Sequence, residues 1–204
     1  MKKFKIFKAV LLVLCLTLSI MLVTACDDGK NPDKKGILDD FNEAVAATNP
    51  AEVTGTITMT ADFGTMVMEY TAEIDESGSF ALNYSYDKYN DVENGGSSDV
   101  TTKVTGTVYY ADGTYTGDTD VAKIPANAVA AKIDVKSDKI DAKVSTDGKM
   151  LTATVKAADT KAVLGVSYDS DVTMSLTMQE GKIVSLTLTY VYEEANVSVL
   201  CTYK

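Results

Sequence analysis

The chain has 204 residues, with 19 basic and 29 acidic side chains and a formal charge of −10. It contains neither histidine nor tryptophan, and every basic residue is a lysine. These absences exclude an imidazole general base, a His-based catalytic triad, a His–Cys zinc site and an arginine fork for phosphate or carboxylate. Any catalysis would rest on carboxylates, lysine or hydroxyls, and no pair of carboxylates is marked out by its spacing. The chain is therefore read as a non-enzyme that carries no cofactor and no metal, with a carboxylate-based hydrolase as the least favoured reading.

The first 25 residues have the three parts of an export signal. Lys2, Lys3, Lys5 and Lys8 form a cationic start that stays on the cytoplasmic side. The apolar run 9–23 follows, interrupted only by Cys15, Thr17 and Ser19, long enough to enter a bilayer and short for a stable span. It closes on small residues, Val23-Thr24-Ala25-Cys26. This segment resembles the lipobox of bacterial lipoproteins. The resemblance implies cleavage between Ala25 and Cys26, a diacylglycerol thioether on Cys26, and a protein held at the cell membrane on its extracytoplasmic side. Two acyl chains make a lasting anchor where one would be reversible.

Loss of the leader removes four lysines and leaves fifteen against 29 acids, a charge of −14 over 179 residues. Nucleic acid and anionic headgroups repel such a surface, so no nucleic-acid partner is expected. The length suits a single domain with a real core, and a monomer is expected. Residues 26–35 read as a polar tether of at most about 30 Å beyond the anchor, and 36–204 as the domain.

The first element predicted is a helix over 36–48. Ile37, Leu38, Phe41, Ala44, Val45 and Thr48 share one face, opposite Asp39, Asp40, Asn42 and Glu43, and Asn49-Pro50 stops it. From Glu52 the period becomes two. Val53, Gly55, Ile57, Met59 and Ala61 alternate with the ladder Thr54, Thr56, Thr58 and Thr60. Met66, Met68, Tyr70, Ala72 and Ile74 repeat the pattern, as do Phe80, Leu82, Tyr84 and Tyr86. A polar loop, 90–99, leads to a fourth strand with Thr102, Val104, Gly106, Val108 and Tyr110. A short fifth strand lies around Tyr115. Residues 125–132 then read as a short helix, 133–144 as polar strands, 150–156 as a strand and 157–164 as a second short helix. Three strong strands end the chain, over 172–178, 183–192 and 196–203, joined at Glu180-Gly181 and Glu193-Glu194. Half-apolar strands joined by tight turns indicate an antiparallel meander with one wet face.

Val53-Thr54-Gly55-Thr56-Ile57 recurs as Val104-Thr105-Gly106-Thr107-Val108. The two mid-strand glycines predict sharp curvature, or close approach of a packed helix or a ligand. Cys201 alternates with Val197, Val199 and Tyr203 and reads as a buried hydrophobe in a strand. Acidic loops with Asp112, Asp118 and Asp120, with Asp91, Glu93 and Asp99, and with Asp169 and Asp171 hold oxygen ligands of the kind calcium takes. None has the regular loop spacing, so they read as solvated loops.

From 36 to 204 the order of elements, together with the closing hairpin Thr173-Met174-Ser175-Leu176-Thr177-Met178-Gln179-Glu180-Gly181-Lys182-Ile183, resembles the LolA-like half-barrel lipoproteins, which include LppX-like lipoproteins. The resemblance implies an α+β fold: a curved antiparallel half-barrel meander with an N-terminal helix and one or two short helices packed on its concave face. It also implies acyl chains held in the concave interior. The arginine with which LolA carriers control opening has no counterpart in a chain without arginine. Met59, Met66, Met68, Met174 and Met178, with Tyr84, are the candidates to line such an apolar cavity, and ordinary core filling is the favoured reading of the methionines. The functional expectation is a membrane-anchored extracytoplasmic lipoprotein that binds a lipid, another amphiphile or an envelope partner. The alternative is a structural or interaction domain with a filled core and no small-molecule ligand.

Overall fold

The alternation that begins at Glu52 builds ten antiparallel strands in one sheet. This is seen in the computed structural model of the protein, which describes residues 34–62, 64–89, 100–117, 124–145 and 147–204. The strands are β1 (Glu52–Ala61), β2 (Gly64–Ile74), β3 (Phe80–Tyr89), β4 (Val100–Ala111), β5 (Thr114–Gly117), β6 (Ile140–Val144), β7 (Met150–Val155), β8 (Val172–Gln179), β9 (Lys182–Tyr192) and β10 (Ala195–Tyr203). Their spatial order is β5-β4-β3-β2-β1-β10-β9-β8-β7-β6. Two meanders thus meet where β1 pairs with β10, and the outermost strands β5 and β6 leave the sheet an open half-barrel.

Helix α1 (Lys34–Ala47) lies against β9 and β6, starting two residues before the predicted position. The face expected to be apolar is the face that packs, with Phe41, Ala44 and Val45 buried and Ile37 and Leu38 half-buried. Thr48 ties its end to the sheet. The Thr48 hydroxyl donates to the Ala44 carbonyl at 2.7 Å and accepts the Ile183 N–H at 2.9 Å, satisfying two backbone groups at once.

The middle of the chain departs from its predicted form. Residues 125–132 give only one helical turn, α2 (Ala126–Val129), because Ala131 takes φ +51° and the Lys132 N–H turns back to the Asn127 carbonyl. Of the strands expected over 133–144, only β6 forms. The Asp134 carboxylate accepts the Lys136 N–H at 3.0 Å, and turns at Asp134 and Ser137 take the backbone bonds that a ladder would need. Ile133 and Val135 are still buried, so their alternation reports burial without pairing. The helix expected over 157–164 splits into a 3₁₀ turn (Ala157–Asp159) and α3 (Thr160–Leu164), closed by Gly165 at φ +82°.

Side chains of the two halves meet in one core on the face that carries the helices. Across the strands they form rows fixed by register. One row runs Val104, Tyr86, Met68, Ile57, Val199, Leu188, Met174 and Ala153. The next runs Gly106, Tyr84, Tyr70, Gly55, Cys201, Leu186, Leu176 and Leu151. The α2 segment is stitched over this face by polar bonds to the backbone. Tyr115 donates to the Ile124 carbonyl, Tyr203 to the Ala128 carbonyl, and Lys132 to the Ser77 carbonyl at 2.9 Å.

Candidate functional site

Ala25 and Cys26, the expected cleavage and acylation residues, lie outside the described residues, as do Asp91, Glu93, Asp99, Asp118 and Asp120. Among the described residues no helix is long and apolar enough to cross a membrane.

The six expected cavity residues divide into two groups. Met68, Met174 and Tyr84 are 2%, 0% and 4% exposed, so they are enclosed by neighbouring side chains. Met59, Met66 and Met178 are half-buried at the margins of the same core. Met59 and Met66 face each other directly across β1 and β2, whereas Met178 lies near the β8–β9 turn. Between α1, the α2 segment and β8–β10, the gap bounded by Val45, Ala131, Ile133, Leu176, Ile183, Leu186 and Tyr203 is too small to admit a water molecule.

The glycines expected to receive a helix or a ligand instead receive tyrosine rings. Tyr70 lies opposite Gly55 across β1 and β2, and its hydroxyl donates to the Leu200 carbonyl at 2.8 Å while contacting the Cys201 Sγ at 3.1 Å. A Cβ added at Gly55 would sit 1.9 Å from the Leu200 oxygen and 2.6 Å from the Tyr70 ring. Tyr84 lies opposite Gly106 in the same way, with its hydroxyl 2.2 Å from the place a Cβ would occupy. Each copy of the Val-Thr-Gly-Thr repeat is therefore a seat for a cross-strand ring. Burial raises Tyr70 well above the ordinary phenol range, with the neighbouring Cys201 adding to it. Burial also pushes the Cys201 thiol up to about 11, which keeps it protonated and unreactive.

An open volume lies on the other face of β2, β3 and β4. There a trough of about 490 Å³ is lined by Glu69, Thr71, Asn83, Ser85, Thr105 and Thr107, over the backbone of Tyr70, Tyr84 and Gly106. Register explains it. Thr105, Ser85 and Glu69 form one cross-strand row, and Thr107, Asn83 and Thr71 form the next. Five of these six side chains are short; the flanking rows are Lys103, Asp87 and Val67 on one side and Tyr109, Ala81 and Glu73 on the other, so longer side chains stand at its margin at Lys103, Tyr109 and Glu73. The Thr107 hydroxyl donates to the Asn83 amide oxygen at 2.7 Å. Among the described residues Glu69 is the one carboxylate lining the trough, and no lysine lines it.

Sequence reading missed this site, although the threonine ladder of β1 was its outer fringe. Patterning shows which face each side chain takes, and cross-strand register, which it does not show, brings Thr71, Asn83 and Thr107 side by side.

The acidic loops have local duties where they are described. Asp171 pairs with Lys156 at 2.7 Å and accepts the Ala157 N–H at 3.0 Å, which holds its carboxyl below the usual carboxylate range. Asp112 sits in the left-handed region of the β4–β5 turn at φ +51°. Among the described residues no group of three or more acids and cysteines is placed to hold a metal ion.

No protein-family model matches the chain, and no curated protein matches it in sequence. Among solved structures, it is similar to LprF from Mycobacterium bovis at 12% identity, over 83% of this chain and 92% of that one, with a TM-score of 0.43. It is also similar to a DUF1329 family protein from Desulfovibrio piger at 8% identity, over 86% of this chain and 92% of that one, with a TM-score of 0.29. Likeness at these scores assigns no function, and the half-barrel architecture stands on the strand pairing described above.

Proposed function

We propose that the chain is a lipid-anchored envelope lipoprotein whose half-barrel is a binding module, filled on its concave side and working from its outer face. One contrast carries this reading. The concave side is occupied by the protein's own residues, with Met68 and Met174 covered and the gap under α1 too small for water, while the outer face holds a trough of about 490 Å³. Side chains that already fill a core have no room for a ligand, whereas a trough lined by hydroxyls and an amide has hydrogen-bonding capacity to offer. The lipobox at Val23 to Cys26 supports the anchor, and the charge of −14 keeps the tethered domain soluble.

Photo-crosslinking in intact cells tests it. A crosslinking side chain placed at Thr71, Asn83 or Thr105 is expected to capture envelope material, and one at Thr154, on the same face but at β7, is expected not to. Equal labelling at all four positions would remove the outer face from the proposal.

A second reading, an amphiphile held at the margin of the core, is favoured by the half-buried Met59–Met66 pair and the half-buried Tyr86 and Val104 nearby. Lipid that copurifies with the protein and is displaced by Met59→Glu would support it.

A further inference from the structure

We propose that the trough on β2–β4 binds an uncharged glycan lying across the strands. This rests on the reading of the outer face as the working surface and goes further by naming the class of ligand. The row Thr107, Asn83 and Thr71 does not stop at the trough. It continues in register through Thr54, Thr202, Ser185 and Thr177, so hydroxyls and one amide follow one another over seven strands. Adjacent strands lie about 4.8 Å apart, so the row is a track of regularly spaced groups.

Each hydroxyl on this track both donates and accepts, and the side-chain amide does the same. With its oxygen taken by Thr107, Asn83 has its N–H groups to offer a ligand. The complementary molecule is one that presents donors and acceptors densely along its length, as a chain of sugar rings does. A peptide offers fewer, and an acyl chain offers none.

Charge narrows the class. Among the described residues Glu69 is the one charge lining the trough and no lysine lines it, and the processed chain would carry −14. Phosphorylated, sulfated or uronic polymers would meet repulsion from Glu69 and the flanking Asp87 and Glu73, against the single flanking lysine Lys103. Neutral sugars meet no such penalty, and a carboxylate accepts well from pairs of hydroxyls.

Two exposed apolar side chains bracket the trough. Tyr109 is 54% exposed and follows Thr107 on the same face of β4, and Val67 is 49% exposed and precedes Glu69 on the same face of β2. A flat ring at one side suits the C–H face of a pyranose, which is how a chain without tryptophan can still hold a sugar.

The test is a titration of the isotope-labelled protein with neutral hexasaccharides (β-1,4-glucose, β-1,4-N-acetylglucosamine and α-1,6-mannose), beside a sulfated oligosaccharide and a hydroxyl-rich peptide. Shifts are read at backbone amides. One of the neutral sugars is expected to move residues 69–71, 83–85 and 105–107 at millimolar concentration, and the sulfated one to move none. Asn83→Ala and Thr107→Val are expected to weaken that binding about tenfold, by loss of one hydrogen-bonding partner each, and Thr154→Ala to leave it unchanged. Because all three sites are on the outer face, the variants keep the fold, which the undisturbed spectrum of the core verifies. Absence of shifts with every neutral sugar, or undiminished binding by Asn83→Ala, would overturn the glycan. Shifts at the trough from the peptide alone would overturn the glycan and leave the outer-face reading standing. No shifts together with uniform crosslinking would remove both.

Discussion

Gly55 and Gly106 occupy matching places in a repeated sequence, yet their surroundings differ in what can yield. At Gly55 the obstacle to a side chain is the Leu200 carbonyl oxygen, which is backbone; at Gly106 it is the end of the Tyr84 side chain. A backbone clash must be relieved by moving a strand, whereas a tyrosine ring can swing. Gly55→Ala is therefore expected to destabilise by about 3 kcal/mol and Gly106→Ala by about 1 kcal/mol, read as the difference in urea midpoints. Equal losses would show that the rings, and not the β1–β10 pairing, set the need for glycine. Tyr70→Phe removes the donor to the Leu200 carbonyl and is expected to cost about 1 kcal/mol. Cys201, fully buried with its thiol pushed up to about 11, is expected to resist a thiol reagent at pH 8 in the native protein and to react once unfolded. These glycines could be singled out in the sequence because glycine is unusual in mid-strand. Their partners could not, since Tyr70 and Tyr84 become neighbours of Gly55 and Gly106 only when the hairpin registers are set.

At the scale of elements, the two-residue hairpins show how much of the meander is written locally. Asp112-Gly113 and Glu180-Gly181 place both residues at positive φ and put glycine second, as the strand twist demands. The β9–β10 turn does this with Glu193 and Glu194, at φ +46° and +70°, so two side chains bear the left-handed strain. Glu194→Gly is expected to stabilise the protein by about 1 kcal/mol, seen as a higher melting temperature. The β2–β3 turn is held differently. Its Asp75 carboxylate accepts from the Ser77 hydroxyl and from the Ser77 and Ser79 N–H groups at 2.6–3.0 Å, which holds its carboxyl below the usual carboxylate range. A carboxylate with a depressed folded value contributes stability above its unfolded value and loses it as pH falls through the folded one. Asp75→Asn is thus expected to lower stability at pH 7 and to flatten its decline below about pH 4, in denaturation curves taken from pH 7 to 2. Strand positions outside 133–139 were legible because alternation and turn residues are local signals. The 133–139 segment was not, because Ile133 and Val135 alternate like a strand while Asp134 and Ser137 spend their hydrogen bonds on turns.

For the whole molecule, the decisive property is which side of the sheet has room. A half-barrel can leave its concavity to a ligand or fill it with its own helices, and sequence alone does not separate the two, since the same methionines serve either. Here α1, α2 and the segment to Val135 lie over the concave side, and Phe41, Leu151, Leu164, Leu186 and Met174 close it to water. The surface proposed for binding is the hydroxyl-rich outer face, on a domain that the lipobox would hold within about 30 Å of a bilayer. Native mass spectrometry of the protein purified from its own membranes tests this picture most directly. The expected species is residues 26–204 carrying covalent acyl groups on Cys26 and no further lipid. A stoichiometric lipid bound without a covalent bond, and displaced by Met59→Glu, would contradict it.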